Sequence, residues 1–236
     1  MKAASEYFKA FSNLLFPEIC YSCGSDLLGI DQLLCLRCLH QLPYTRFEKW
    51  SHNPIEKIFW GRVPIEEAAS LFYFTKDSIV ERLLHQLKYK GRKEVGPYCG
   101  RLMGAALQQV ERFKDIDAII PLPLFSRKER QRGFNQAKLL CEGLTDLINK
   151  PIIDSVIMRI EGTETQTHKN RIERWQNMKH RFQIANDDLL KGKHVLLVDD
   201  VITTGATLES CAQELLSAEN VKVSLLTFAF SSSRNV

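Results

Sequence analysis

One stretch limits what this chain can fold into more than any other: Val195-Leu196-Leu197-Val198-Asp199-Asp200-Val201-Ile202-Thr203-Thr204-Gly205-Ala206-Thr207-Leu208. Four apolar residues in a row suit a strand covered on both faces, as in a parallel sheet. Asp199 and Asp200 are expected where that strand ends. From Leu208 the apolar residues recur at helical spacing, at Cys211, Ala212, Leu215 and Leu216. Thr203, Thr204, Gly205, Ala206 and Thr207 therefore fall at a helix N-terminus. Free N–H groups and the positive end of the dipole favour an anion there, and Gly205 lets the backbone turn tightly and approach a ligand.

The parts suggest a chemistry. Two adjacent carboxylates accept hydrogen bonds from a vicinal diol, such as the 2- and 3-hydroxyls of a ribose. Three threonine hydroxyls and the N–H groups of the turn surround a phosphate. A ribose 5-phosphate satisfies both halves at once, and the stretch resembles the signature with which type I phosphoribosyltransferases bind phosphoribosyl pyrophosphate (PRPP). The plainer alternative is a strand end with surface carboxylates and a threonine-capped helix.

The remaining pattern supports an α/β chain. Strands are expected at 68–74, 117–124, within 152–160 and at 221–230, and helices at 79–87, 97–113 and 134–148. Such alternation gives a parallel sheet with ligands at the C-terminal ends of its strands. The 236 residues allow one core domain and a small module. No apolar run approaches the roughly 20 residues of a membrane helix. The interrupted apolar spacing of residues 7–16 reads as an amphipathic helix rather than a signal peptide, which predicts a cytoplasmic protein.

Four of the seven cysteines are paired by spacing, Cys20-x2-Cys23 and Cys35-x2-Cys38. In a cytoplasmic chain that pattern predicts a tetrahedral Zn2+ site rather than two disulfides, with a short helix at the second pair. Four thiolates complete such a site without His40 or His52. Cys99, Cys141 and Cys211 stand alone and read as small buried apolar residues. The expected boundaries are 1–45 for the N-terminal helix and zinc-binding module, 46–64 for a linker or hood, and 65–236 for the main domain. Trp50, Phe59 and Trp60 of the hood are expected to pack the small module against the large one, with a lid as the alternative.

The net charge of +4 is mild, so the placement of charge matters more than its sum. Three basic stretches fall on the expected ligand side: 88–93 with Lys88, Lys90 and Arg92; 126–136 with Arg127, Arg130 and Arg132; and 163–181 with Arg171 and Arg174. The third is long, polar and without apolar periodicity, as lids and binding loops are. Tyr89, Phe134 and Trp175 lie among these charges and offer rings for stacking.

Taken together, the paired cysteines, His85-Gln86-Leu87-Lys88-Tyr89-Lys90-Gly91-Arg92, Pro121-Leu122-Pro123-Leu124, Arg130-Gln131-Arg132-Gly133-Phe134-Asn135-Gln136-Ala137, Thr165-Gln166-Thr167 and the acidic-threonine stretch resemble the ComF/GntX family. These are late-competence, phosphoribosyltransferase-like proteins of bacteria, and the resemblance covers nearly the whole length. One departure is the absence of cysteine between positions 39 and 98, where many relatives carry a further pair.

The resemblance implies a type I phosphoribosyltransferase-like parallel sheet preceded by a zinc ribbon. It also implies, for some members, a role in DNA uptake at the inner face of the membrane, with competence proteins as partners. Two functions stay open. In one, Asp199 and Asp200 hold the ribose of PRPP, Thr203 to Thr207 hold its 5-phosphate, Mg2+ accompanies the pyrophosphate, and phosphoribosyl passes to an acceptor that no residue identifies. In the other, the basic stretches track single-stranded DNA.

Overall fold

The computed structural model describes residues 18–29, 32–160 and 181–231. The expected helix at 7–16, together with Arg171, Arg174, Trp175 and most of the 163–181 stretch, lies outside the described residues.

At the front of the described chain, helix α1 (Leu36–His40) opens at Cys35. The module leans on the main body through Tyr21, whose hydroxyl donates to Glu94 at 2.7 Å, and through Ser22, which accepts from Arg82 Nε at 3.1 Å. Helix α2 (Pro54–Phe59) follows, started by Asn53, whose side chain accepts from the N–H groups of Ile55 and Glu56. The Asn53 amide also donates to the carbonyl of Ala68 at 2.7 Å, tying α2 to the head of strand β1 (Ala68–Tyr73). Arg112 bonds the carbonyls of Phe47 and Trp50 and pairs with Glu56 and Glu67. The hood is thus fastened by buried polar bonds as well as by apolar packing.

Helices α3 (Ile79–Tyr89) and α4 (Val95–Leu107), strand β2 (Ala118–Pro121), and helices α5 (Ser126–Arg132) and α6 (Gln136–Ile148) come next. Strands β3 (Ile157–Arg159) and β4 (Phe182–Ile184) pair antiparallel as a small separate sheet. Strand β5 (His194–Ile202), helix α7 (Ala206–Leu215) and strand β6 (Lys222–Phe230) complete the core.

The main sheet is parallel, in the order β1-β6-β5-β2. Its central strands are apolar on both faces, as helix-covered parallel strands are: Val195 to Val198, Leu225 and Phe228 are fully buried. Helices α4 and α6 cross at backbone contact. A Cβ on Gly100 would lie 2.0 Å from the carbonyl oxygen of Leu140, and one on Gly143 would lie 1.9 Å from that of Pro97. Gly96, Gly100 and Gly104, four residues apart, make the groove that admits α6.

Several expectations are corrected. The helix expected over 97–113 stops at Leu107, and a 3-10 turn, Glu111–Phe113, follows. The strand expected within 152–160 is β3, outside the parallel sheet; only Ile152 bridges to it, at Ile119. Strand β5 runs past the acidic pair to Ile202, so the carboxylates lie two and three residues inside its last residue rather than at its end. Lys88 and Tyr89 are helical, and most of the basic 126–136 loop is α5. Phe59 is fully buried, whereas Trp50 and Trp60 are 46% and 57% exposed, so one of the three hood aromatics packs as expected and two face solvent.

Candidate ribose phosphate site

Pleating sends Asp199 and Asp200 to opposite faces of β5. Asp200 is 9% exposed, and its Oδ2 lies 2.8 Å from Lys88 Nζ at the end of α3. Asp199 Oδ1 accepts from the backbone N–H of Asp200 at 2.8 Å. Burial, and then the charge of Asp200, push Asp199 up to about 8, against the opposing pull of Lys88 and Arg159. The two carboxylates therefore meet different surroundings, Asp200 an ammonium and Asp199 a backbone N–H.

Arg159 was not expected at the site. Its guanidinium carbon stands 3.7 Å from the centre of the Phe125 ring and 5.3 Å from that of Phe182. Its Nε is buried with no hydrogen-bond partner among the described residues. Burial, and then the like charge of Arg181, lower its pKa, while Asp199 opposes them. A cation held against two rings, with no ion-pair partner among the described residues, suits an anion arriving from outside. In the sequence it stands alone in a three-residue strand, away from every basic run, and so carries no local signal.

The turn after β5 has the open character the sequence suggested. Gly205 is the N-cap of α7 at φ +75, and no side chain caps that helix. The one hydroxyl near a first-turn N–H, Thr204 Oγ1, is 3.5 Å from Ala206 N, at the outer limit for a bond. Thr203 and Thr204 are exposed. A small cavity of about 60 Å³ runs along the backbone from Asp199 to Leu208. A larger one of about 840 Å³, beside Tyr21 and Tyr98, shares none of these residues.

The basic residues divide. Lys88 reaches the acidic pair. Arg132 donates to Gln136 at 2.6 Å and lies 5.9 Å from the Tyr89 ring. Arg127 and Arg130 are exposed on α5, and Lys90 is exposed at the end of α3. Arg92 turns instead toward the N-terminal module, near Glu94 and the Tyr21 ring, and is not brought to the site. Phe134 is 9% exposed and belongs to the core, so it is not available to stack a base; Tyr89, 68% exposed, is.

The cysteine module gathers as its spacing required. The sulfurs of Cys20, Cys23, Cys35 and Cys38 all lie within 4.8 Å of one another, which suits one tetrahedral ion. Cys20 Sγ accepts from the N–H of Cys35 at 3.4 Å. Burial would raise Cys20, but N–H donors from Cys23, Cys35 and Ser22 outweigh it and bring it down to about 6. It is the convergence of the four sulfurs that fits a thiolate-binding metal. Cys99, Cys141 and Cys211 are fully buried, as expected of apolar residues.

A Phosphoribosyl transferase domain matches residues 140–235, which include β5, the acidic pair and the turn. DNA utilization protein YhgH of Salmonella typhi is 31% identical over 202 residues, covering 84% of this chain and 78% of that protein. Competence protein F of Haemophilus influenzae is 31% identical over 211 residues, covering 88% and 83%. The chain belongs to the ComF family. Among solved structures, a hypoxanthine phosphoribosyltransferase from Staphylococcus aureus is similar at 16% identity, covering 61% of this chain and 75% of that one with a TM-score of 0.33. The phosphoribosyltransferase fold of this ComF-family chain rests on the domain match and on the sheet itself. Among the described residues, no helix is long and apolar enough to cross a membrane.

Proposed function

We propose that this ComF-family protein binds PRPP or a similar ribose phosphate through Asp199, Asp200 and the turn from Thr203 to Thr207. The observation that carries the reading is the direct passage from the acidic pair to an uncapped helix N-terminus, with a small cavity that follows the turn and reaches Asp199. The pair takes the ribose hydroxyls, and the turn takes the 5-phosphate. Mg2+ would accompany the pyrophosphate, held mainly by phosphate oxygens and water. Arg159, together with Arg127 or Arg130 of α5, supports the departing charge, and transfer of phosphoribosyl to an acceptor follows by positioning and charge stabilisation. The four cysteines hold a structural Zn2+ that staples a segment too short to build its own core.

A second reading has its own observation. Helix α5 presents Arg127, Lys128 and Arg130 to solvent, and Arg132 lies over the exposed Tyr89. Charge beside an open ring suits single-stranded DNA, and relatives carry the names competence protein and DNA utilization protein.

One experiment separates the readings. Mg2+–PRPP and a single-stranded oligonucleotide are titrated against the wild type and an Asp199→Asn/Asp200→Asn variant. PRPP binding that the double substitution abolishes supports the ribose phosphate site, and no PRPP binding by the wild type ends that reading. DNA binding would survive the substitution and weaken steeply with salt; no oligonucleotide affinity at low salt ends the second reading.

A further inference from the structure

The turn that would hold the phosphate is built from behind by the hood. Arg62 Nη1 donates to the carbonyl of Ile58, at 3.1 Å, and to that of Thr204, at 3.3 Å. The other guanidinium nitrogen pairs with Glu209 in the first turns of α7. Gln213, one turn further along, donates to the carbonyl of Arg62 at 3.3 Å. A Cβ on Gly205 would meet Ile58 Cγ2 at 2.8 Å and the Phe59 ring at 3.0 Å. One guanidinium thus bridges the end of α2, the turn and α7, across 142 positions of sequence.

The peptide bond between Thr204 and Gly205 is planar and trans, so its carbonyl and N–H point in opposite directions. With the carbonyl held on the hood side by Arg62, the N–H of Gly205 is directed to the side away from the hood. No acceptor among the described residues takes that N–H. Released from Arg62, the same peptide is free to rotate, and a glycine at φ +75 offers little resistance.

We propose that Arg62 is a positioning residue for the 5-phosphate turn. It never touches the ligand, but it sets the orientation of the peptide that does. The proposal rests on the ribose phosphate reading above. Its physical basis is the shape of the guanidinium: a planar fork serves two carbonyls and a carboxylate at once, which a lysine ammonium at the same place does not. Arg62 is also 40% exposed, so the fold does not depend on its burial.

The test compares wild type, Arg62→Ala and Arg62→Lys as full-length, zinc-loaded protein. Ribose 5-phosphate is titrated by calorimetry, inorganic pyrophosphate with Mg2+ serves as the control anion, and the Gly205 amide is followed by 15N NMR without ligand. Expected are an affinity for ribose 5-phosphate lowered about tenfold or more in Arg62→Ala, incomplete recovery in Arg62→Lys, unchanged pyrophosphate binding, and a displaced Gly205 resonance in both variants. Full recovery by Arg62→Lys would mean that charge alone acts, and would overturn the proposal. Equal losses for both anions, or an unmoved Gly205 amide, would overturn it as well. Wild type that does not bind ribose 5-phosphate would instead remove the reading on which it rests.

Discussion

Lys88 Nζ lies 2.8 Å from Asp200 Oδ2, joining the last turn of α3 to the acidic pair on β5. Both side chains are largely buried, 21% and 13% exposed. The ammonium is the counter-ion that lets two neighbouring carboxylates share one strand. Breaking such a pair leaves charge without compensation, which costs more than the intact pair contributes. Lys88→Met is therefore expected to lower stability by about 2–3 kcal/mol at pH 7, read by urea denaturation. The deficit should shrink in an Asp200→Asn background, where no carboxylate charge needs the cation. An equal deficit in that background would mean that packing of the lysine stem, not its charge, is what matters.

Asp199 is held up to about 8 by burial and by the charge of Asp200, whereas an unfolded chain titrates the same group near 3.9, about the model-peptide value. Between those limits the native state carries a proton that the unfolded state lacks. Stability from this group is complete below about pH 4 and lost as pH rises through 8, with a slope of up to about 1.4 kcal/mol per unit. Asp199→Asn removes that slope. The variant should gain on the wild type steadily from pH 5 to pH 8 in denaturation midpoints, and parallel profiles would show that the group is ionised throughout.

Gly100→Ala tests the contact between α4 and α6. The new methyl would sit 2.0 Å from the Leu140 carbonyl oxygen, a backbone atom that cannot swing aside. The expected cost is about 3 kcal/mol or more, from overpacking that two helices share. Ala105→Gly, on the exposed side of the same helix, should cost only about 1 kcal/mol, from propensity. Thermal melts of the two variants give the comparison directly.

Removing the metal should act locally. Metal analysis of protein purified without chelator is expected to give one zinc per chain, and none for Cys38→Ser. Chelation should free the four thiols to react with a thiol reagent and loosen the Tyr21–Glu94 and Ser22–Arg82 contacts. Binding energies of such ions run to on the order of 10 kcal/mol, so the module should open well before the sheet melts. A single melting step unaffected by chelator would argue against a structural ion.

The acidic-threonine stretch was legible because its signal is local: an apolar run, two carboxylates and a hydroxyl turn each dictate the conformation of their own neighbourhood. The cysteine module was legible for a similar reason, since spacing alone limits where four sulfurs can meet. Arg159 and Arg62 were not, because what makes them matter is contact across long stretches of chain. Phe125 and Phe182 frame Arg159 from two different elements, and Thr204 gives Arg62 its role from 142 positions away. Arg92 and Phe134 misled in the opposite sense. Both sit in the right local pattern, but tertiary packing turned one toward the N-terminal module and buried the other. The helix expected over 97–113 was read too long: it ends at Leu107, where no glycine or proline marks the stop and the apolar spacing runs on to Val110.

The strand order β1-β6-β5-β2 also says something about how the protein is made. Among the described residues, strand β1 pairs in the main sheet with β6, which ends at Phe230, while residues 43–45 bond its other edge. During synthesis, the apolar run of β1 leaves the ribosome about 150 residues before its partner, which at ordinary elongation rates means roughly 10 to 30 seconds of waiting. Loop closure over that span is slow, and an unpaired strand edge invites the wrong partner in the meantime. A chain that ends before β6 leaves β1 and β5 each without the strand that lies between them. Such open edges are what chaperones shield in nascent chains, and the arrival of β6 is the step that closes them.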